Sequence, residues 1–483
     1  MSTMASLLLQ INHFVVVMLE NRSFDHMLGF LYGPGNPAPR GQAFEGLTGN
    51  EANLDANGKP VKVFKIPGGN ANTYFWPGAN PGEGYLNTNF QLFGTKNAPV
   101  PVVASQSQGF VKNFADTLPW DKAQKDQSVV PGTTANNIMG MYTPDLLPVL
   151  SGLATGYAVC DHWYSSAPTE TFPNRAFLAM ATSQGFVKDR SRSLFTAPSI
   201  FTLLSKNGRT WAIYGYDQQP KERGSVADIA SAPASNFGLF SDFQAAVKKG
   251  TLANYVFLEP SWGAKGNSQH PNYDVSLGEQ FLLEIYQTLY GSSVWDETLL
   301  VITYDEHGGC YDHVPPPDNA VAPDDSAGEE GFDFKRFGVR VPTVLVSPLI
   351  PAGTVYRAPG TTPFDHTSIL ATVEHRYGLP SLTLRDAAAP DVSGVLTLAQ
   401  ARKDDPLSAV KAPRSGGLPT ALPKAPDHLE MALAANAANL PVPDVVGNAF
   451  HHTMPQLGTS REVRKYVKNR YHDYEQQEKK RRK

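Results

Sequence analysis

The pattern of apolar positions predicts short buried strands that alternate with helices. Four continuous runs are rich in β-branched and aromatic residues: 13–19, 255–258, 298–303 and 341–346. Such runs are typical of strands buried on both faces of a parallel sheet. Three segments carry apolar side chains at helical spacing: 173–184, 276–291 and 366–378. We therefore predict an α/β fold with a mostly parallel central sheet and helices on both faces.

Two regions depart from this alternation. Residues 31–135 are rich in Gly, Pro and Asn but also hold aromatic residues, which favours a loop-rich insertion over a linker. After residue 400 the chain is first Pro-rich, then has an Ala-rich helical segment at 427–439 and a basic helical segment at 460–478. The length of 483 residues suits either one large domain with insertions or two to three ordinary domains, and we expect an extension over 401–483.

Composition excludes several classes of protein. With 41% hydrophobic and 18% charged residues, the chain can build a large core, and no apolar stretch approaches 18 residues. Two cysteines exclude a disulfide scaffold. The net charge is −4, yet 461–483 carry +6. A basic tail is more typical of a solvated helix end than of a nucleic-acid site, so we expect no nucleic-acid partner.

Acidic residues follow the predicted strands at the edge where ligands of α/β sheets bind. Glu20, Glu259 and the pair Asp305-Glu306 stand at strand ends. Carboxylates placed side by side resist ionisation unless a cation lies between them, which favours a metal ion or a positively charged substrate group. The alternative is that they cap helices or pair with Arg. Four histidines lie in nearby polar or Gly-rich turns: His270, His307, His313 and His366.

A hydroxyl nucleophile is available before the helical segment that contains Pro173. Thr169 and Thr171 precede this proline, which is favoured in the first turn of a helix. The positive end of a helix dipole favours phosphate, and Arg175 could bind one. Both threonines could equally serve as helix caps, and the local sequence leaves that choice open.

Four motifs follow one another along the chain: Glu20-Asn21-Arg22-Ser23-Phe24-Asp25-His26, Thr171-Phe172-Pro173-Asn174-Arg175, Asp305-Glu306-His307-Gly308-Gly309 with Tyr311-Asp312-His313, and Val339-Arg340-Val341-Pro342 with Ser347-Pro348. In this order they resemble the phosphoesterase family of bacterial phospholipases C, plant non-specific phospholipases C and certain acid phosphatases. The resemblance spans about 12–380 and implies an alkaline-phosphatase-like core. It makes 1–400 a phosphoesterase catalytic domain.

The resemblance also implies the site. Glu20, Asn21, Thr171, Asp305 and Glu306 would hold one divalent metal ion, with Ca, Zn, Mn and Mg all open. Thr171 would be the nucleophile. A second group of residues would act on the substrate or contact it: His270 and Asn21 in catalysis, and His307, His313, His366 and Glu83 as substrate contacts.

The implied function is a metal-dependent hydrolase of phosphoric esters that resembles phospholipase C and cleaves phosphodiesters through a phospho-threonine. An acid-phosphatase-like monoesterase and a non-catalytic binding protein with the same fold are the alternatives. The substrate would be a phosphate ester, with a phospholipid and transient membrane contact among the options. Many family members carry His where this chain has Glu83, which leaves lipid specificity open.

Two further expectations concern location and the tail. Family members are often exported, but residues after Met1 show no basic, apolar and cleavable signal pattern, which by sequence alone indicates the cytoplasm. We also expect that deletion of 461–483 would leave hydrolysis of a small soluble substrate intact. The oligomeric state is left open.

Overall fold

A central sheet of eight strands organises the protein in a computed structural model. The structure describes residues 7–99, 103, 105–123, 129–189, 195–263, 265–417, 425–426, 428–440 and 453–481. The strands of the central sheet are β1 (His13–Leu19), β2 (Ala158–Cys160), β3 (Trp211–Gly215), β4 (Phe237–Leu239), β5 (Tyr255–Glu259), β6 (Thr298–Tyr304), β7 (Thr343–Val346) and β8 (Thr354–Val355).

The strand order is β8-β2-β7-β6-β1-β5-β3-β4. Strands β1, β5 and β6 pair in parallel at the centre, and Leu19 lies opposite Tyr304 in the register. The prediction of a mostly parallel α/β sheet is confirmed. The expectation that 341–346 forms a parallel strand is wrong, because β7 is antiparallel to both β6 and β2. The chain stays at the carboxyl edge of β6 and enters β7 from that edge, so β7 must run back across the sheet.

Helices cover both faces of the sheet. Their bounds are α1 (Phe24–Leu28), α2 (Gly84–Phe93), α3 (Phe110–Ala123), α4 (Pro148–Gly156), α5 (Thr171–Met180), α6 (Ile200–Lys206), α7 (Glu222–Ser225), α8 (Phe240–Lys249), α9 (Val275–Leu289), α10 (Thr367–Tyr377), α11 (Leu384–Ala388), α12 (His428–Asn439) and α13 (Ser460–Arg481). Strands β1 and β6 are buried along nearly their whole length, which explains their continuous apolar sequence.

The segment 31–135 has more regular structure than its loop-rich composition suggested. It contains α2, α3 and a small antiparallel sheet of Ala52–Leu54 and Pro60–Lys62. A second hydrophobic cluster lies under α3 and includes Phe110 and Tyr311. Because Tyr311 follows the motif at the end of β6, this cluster fixes the insertion beside the carboxyl edge of the central sheet.

The C-terminal helices α12 and α13 pack on the rest of the protein. Val463, Val467 and Tyr471 are buried against a cluster that includes Trp262 and Leu433. The opposite side of α13 is basic and exposed. This helix therefore packs against other parts of the protein, and the expectation that deletion of 461–483 would spare hydrolysis of a small soluble substrate stays a prediction. Among the helices that the structure describes, none is both long enough and apolar enough to cross a bilayer.

Candidate active site

The ends of β1 and β6 bring the predicted acidic residues together. These strands are parallel neighbours, so Glu20-Asn21 and Asp305-Glu306 leave the sheet side by side. The backbone N–H of Asn21 donates to Asp305 Oδ1 at 2.9 Å. The backbone N–H of Glu306 donates to the same oxygen at 2.8 Å. Asn21 adopts a left-handed φ of 57°, a conformation that Asn tolerates better than most residues. The Asn21 side chain on this turn is buried and contacts Thr171 and Glu83.

Thr171 is the hydroxyl that faces this turn. It is the first residue of α5, and its Oγ1 donates to Asn21 Oδ1 at 3.2 Å. Thr169 instead accepts a hydrogen bond from Asn174 Nδ2 at 2.9 Å. The sequence left both threonines open as nucleophile or helix cap. Thr169 holds the loop through this hydrogen bond. Thr171 is buried at the positive end of the helix dipole.

Two carboxylates of the site have oxygens that no hydrogen bond satisfies. Within the described part of the chain, both oxygens of Glu20 and Oε1 of Glu306 are buried without a hydrogen-bond partner. Burial and the charge of Asp305 raise the pKa of Glu20 to about 8, although Arg175 and the nearby Ser268 hydroxyl lower it in part. Burial, followed by the charges of Glu83 and Asp305, raises the pKa of Glu306 well above its ordinary value. Unsatisfied buried oxygens are costly, so this region suits a cation.

Arg175 supplies one positive charge to the site. Its Nε donates to Asp305 Oδ2 at 3.0 Å, and a terminal nitrogen donates to the carbonyl oxygens of Met18 and Leu19. The guanidinium also lies 4.7 Å from the ring centroid of Trp262. Arg175 therefore holds the ends of β1 and β6 together, and the phosphate contact considered from the sequence stays a prediction.

Glu259 caps a helix, which is one of the alternative roles that the sequence left open for acidic residues at strand ends. Its two carboxylate oxygens accept the backbone N–H groups of Lys221 and Glu222 at 2.8 and 2.9 Å. These residues stand at the start of α7, so Glu259 caps this short helix. Lys221 in turn stacks over Phe172 of α5, at 3.9 Å from the ring centroid.

Two of the four histidines lie beside the strand-end acids. His307 Nε2 is 2.8 Å from Gln91 Oε1, and its Nδ1 is 3.3 Å from Glu306 Oε2. His366 Nε2 is 2.7 Å from the carbonyl oxygen of Asp305. Burial lowers the pKa of His307 to about 3 and that of His366 to about 4. Both imidazoles are therefore neutral near pH 7.

His270 belongs to a loop that abuts the end of β1. The carbonyl of Ser268 accepts the backbone N–H of Glu20 at 2.9 Å. Arg22 donates to the carbonyl oxygens of Gln269 and His270 at 2.6 and 3.0 Å. His270 Nδ1 lies 3.0 Å from the carbonyl oxygen of Pro271. Nε2 is the second nitrogen of the ring and is the atom that we consider for contact with substrate. The loop thus keeps His270 near Glu20.

Glu83 reaches the site from the insertion. Its Oε2 accepts a hydrogen bond from Asn21 Nδ2 at 2.6 Å. Glu83 also lines a cavity of about 790 Å³. The other residues lining it include Asn87, Phe90, Trp120, Glu170, Asp189, Met431 and Ala432. The insertion and α12 therefore form walls of a cleft that opens beside the Asn21 turn.

His313 lies in a separate cluster. Among the described residues, Asp25, Asp312 and His313 are the one group of His, Cys, Asp or Glu whose ligand atoms all lie within 4.8 Å. Arg340 already occupies this cluster, since it donates to Asp312 Oδ1 and Asp25 Oδ1 at 2.9 Å each. His313 Nδ1 is 2.6 Å from Asp25 Oδ2. We interpret the cluster as a buried ion network rather than as a metal site.

Sequence reasoning missed three residues that shape the site. They are Gln91, which contacts His307, Arg22, which holds the His270 loop, and Trp262, which stacks on Arg175. Arg22 stands next to Asn21 in a motif and could have been considered. No signal in a single sequence separates buried Gln91 and Trp262 from other polar or aromatic residues.

Comparisons with known proteins agree with this geometry. The profile of the Phosphoesterase family matches residues 11–380. Non-specific phospholipase C1 of Arabidopsis thaliana is 37% identical over 396 residues, which cover 78% of this chain and 69% of the plant protein. Phospholipase C A of Mycobacterium tuberculosis is 27% identical over 511 residues, covering 94% and 90% of the two chains.

Solved structures resemble the chain only weakly. A protein in the alkaline phosphatase superfamily from Vibrio parahaemolyticus superposes with a TM-score of 0.30 at 14% identity, over 51% of this chain and 65% of that one. An overlap this small carries no argument about function. The profile match and the plant relative are sufficient: this chain belongs to the phosphoesterase family and is a hydrolase that acts on phosphoric ester bonds.

Proposed function

We propose that this protein is a metal-dependent phosphodiesterase of the phospholipase C type, in which Thr171 forms a phospho-threonine intermediate. The observation that carries the proposal is the Thr171 hydroxyl, 3.2 Å from Asn21 Oδ1 and beside the unsatisfied oxygens of Glu20 and Glu306. Cleavage of a phosphodiester needs a nucleophile, positive charge for the phosphoryl oxygens and a proton for the leaving alcohol. We assign these three roles to groups at or near this strand edge.

The chemistry of the donor atoms suits a divalent ion. Carboxylate and amide oxygens are the ligands that Ca²⁺, Mg²⁺ and Mn²⁺ prefer, and Zn²⁺ also accepts carboxylates. We assign the role of ligands to Glu20, Asn21, Thr171, Asp305 and Glu306. When bound, the ion would lower the pKa of the Thr171 hydroxyl and offset charge on a phosphoryl oxygen.

The residues of the chain perform the remaining chemistry. Thr171 Oγ1 loses its proton to solvent and forms a bond to phosphorus while the bond from phosphorus to the leaving alcohol breaks. The oxygen regains a proton from solvent when water hydrolyses the intermediate. His270 is our candidate to give a proton to that alcohol oxygen and to take one from the water that hydrolyses the intermediate. The positive end of α5 stabilises the phosphoryl group throughout.

A phospholipid is the substrate that we favour. The cavity of about 790 Å³ beside Glu83 has room for a large alcohol or head group. Trp120 lines its rim and is 58% exposed, and exposed Trp suits the boundary between water and lipid. The relatives from Arabidopsis thaliana and Mycobacterium tuberculosis are named as phospholipases C, which supports a diester substrate and transient contact with a bilayer.

A substrate panel tests this proposal. Purified protein supplied with divalent metal ions should hydrolyse p-nitrophenyl phosphorylcholine faster than p-nitrophenyl phosphate. Thr171→Ala should lose roughly 10³-fold or more in kcat, because the nucleophile is removed. Thr169→Ala is the matched control and should retain most activity. Preference for the monoester would favour the acid-phosphatase alternative, and failure to hydrolyse any ester would favour a binding protein.

A further inference from the structure

The side-chain amide of Asn21 has two ends that differ in chemistry. Its oxygen can accept a hydrogen bond from the Thr171 hydroxyl or bind a cation, whereas its NH₂ group can do neither. A rotation of 180° about the Cβ–Cγ bond would exchange the two ends at little steric cost. What fixes the orientation must therefore be a neighbouring group that distinguishes a donor from an acceptor.

Glu83 is such a group. An ionised carboxylate accepts hydrogen bonds and cannot donate them, so its contact with Asn21 Nδ2 at 2.6 Å requires the NH₂ end. The oxygen end then faces Thr171 Oγ1 at 3.2 Å. We propose that Glu83 is a positioning residue, which directs the carbonyl oxygen of Asn21 towards Thr171 and towards the metal ligands. This inference rests on the proposed function.

The backbone of Asn21 leaves only the side chain free to turn. Its N–H is held by Asp305 Oδ1, and its left-handed φ of 57° sets the direction of Cβ. Gly308 packs so closely on this turn that a Cβ added there would lie 2.2 Å from the Asn21 carbonyl oxygen. The turn therefore has no room to shift, and the amide can respond to Glu83 by rotation alone.

Glu83 itself is held in place. It directly precedes α2, and the carbonyl of Gly82 accepts a hydrogen bond from Gln91 Nε2 at 2.6 Å. The carbonyl of Glu83 accepts another from Asn87 Nδ2 at 2.9 Å. Gln91 contacts His307 through its other end, so the same helix orders both groups around the acids. A carboxylate on so fixed a backbone can set the orientation of its partner.

The first test compares Glu83→Ala with Asp116→Ala, which removes a carboxylate from the same cavity without contact to Asn21 among the described residues. Divalent metal binding is measured by equilibrium dialysis without substrate. Glu83→Ala should weaken it about 10- to 100-fold, the usual effect of losing a group that orients a ligand. Asp116→Ala should bind metal normally. Equal metal affinity in Glu83→Ala and wild type would overturn the proposal.

Kinetics separate positioning from substrate contact. If Glu83 orients Asn21, Glu83→Ala lowers kcat equally on p-nitrophenyl phosphorylcholine and bis(p-nitrophenyl) phosphate, with KM unchanged. Glu83→Gln keeps an acceptor oxygen and should recover part of the loss. A change confined to the KM of the choline substrate would instead make Glu83 a substrate contact and overturn the proposal.

A double variant gives the sharpest result. In Asn21→Asp both ends of the side chain are oxygens, so no orienting group is needed, and Glu83 becomes a repelling neighbour. Metal affinity of Asn21→Asp/Glu83→Ala should then exceed that of Asn21→Asp, the reverse of the effect in wild type. The same sign in both backgrounds would refute a positioning role. Because dialysis needs no turnover, a wild-type protein inactive on every ester would disprove the proposed function while this result still decides the role of Glu83.

Discussion

Replacement of Arg340 by Met should destabilise the protein strongly. The guanidinium is fully buried and donates four hydrogen bonds, to Asp312 Oδ1, Asp25 Oδ1 and the carbonyl oxygens of Glu45 and Asp161. Although burial acts to lower it, Asp312 and Asp25 hold the pKa of Arg340 above its ordinary value. Arg340 therefore remains charged, and its removal leaves two carboxylates buried without their cation.

The magnitude follows from the charges left behind. Removal of one partner of a buried ion pair typically costs about 3–5 kcal/mol, because the remaining charge has lost both water and its counter-ion. Two carbonyl acceptors are also left unsatisfied, at about 1 kcal/mol each. His313 offsets part of this cost. Burial acts to lower the pKa of His313, but the hydrogen bond with Asp25 outweighs burial and raises this pKa, which favours a charged imidazolium beside Asp25. We expect Arg340→Met to lower the free energy of unfolding by about 3–5 kcal/mol.

Urea unfolding at pH 7, followed by circular dichroism and tryptophan fluorescence, measures this loss, and coincident curves would support a single transition. Arg340→Lys is the control: it keeps the charge but loses the forked geometry, so it should lie between wild type and Met. The triple variant Arg340→Met/Asp25→Asn/Asp312→Asn should be more stable than Arg340→Met, because no unpaired charge remains. A loss below about 1 kcal/mol, or no recovery in the triple variant, would refute the reasoning.

Three further predictions concern the metal, the pH dependence and the C-terminal helix. Asp305→Asn should reduce bound divalent metal in elemental analysis, whereas Asp312→Asn should not, and the opposite result would move the metal to the Arg340 cluster. Burial raises the pKa of Glu279 to about 8 from an ordinary 4.5. Between these two pH values the native state holds a proton that the unfolded chain has released, so the free energy of unfolding falls as the pH rises from 4.5 to about 8. Glu279→Gln should flatten this fall in thermal midpoints between pH 5 and 8; an unchanged slope would assign it to other groups. Tyr471→Ala should lower the free energy of unfolding by roughly 3–5 kcal/mol, because Tyr471 is buried. Lys465→Ala is the control and should have no effect, because Lys465 is exposed. Equal urea midpoints for Tyr471→Ala and wild type would show that α13 packs weakly.

The central strands could be predicted because their burial is visible in the local sequence pattern. A strand covered on both faces must be apolar at every position, and β1 spans the predicted residues 13–19. Glu20 and Asp305 could be placed at one edge because parallel strands end on the same side. The direction of β7 could not be predicted, because a buried strand of four residues has the same apolar pattern whether it runs parallel or antiparallel to its neighbours. The helix α3 was missed since it contains Pro119, which argues locally against a helix.

The partners of charged groups could not be predicted from the sequence. Whether a carboxylate binds a metal, an Arg or a helix end depends on what tertiary folding places beside it. Glu259 and Glu20 both stand at the ends of buried strands. The carboxylate of Glu259 accepts two backbone N–H groups, whereas the carboxylate oxygens of Glu20 accept no hydrogen bond within the described residues. The difference arises because α7 begins opposite β5, and nothing in the residues around Glu259 shows this. The Thr169 and Thr171 choice was open for the same reason.

Arg175 and the metal ion that we propose would share Asp305. The guanidinium lies against Asp305 Oδ2, with Nε and Nη2 each 3.0 Å away, and backbone N–H groups donate to Oδ1. A metal ion bound by Asp305 would therefore share Oδ2 with Arg175. Glu20 and Glu306 have open oxygens because Arg175 does not reach them with a hydrogen bond. One buried Arg does not balance three carboxylates, which supports our proposal that a divalent ion binds next to Thr171.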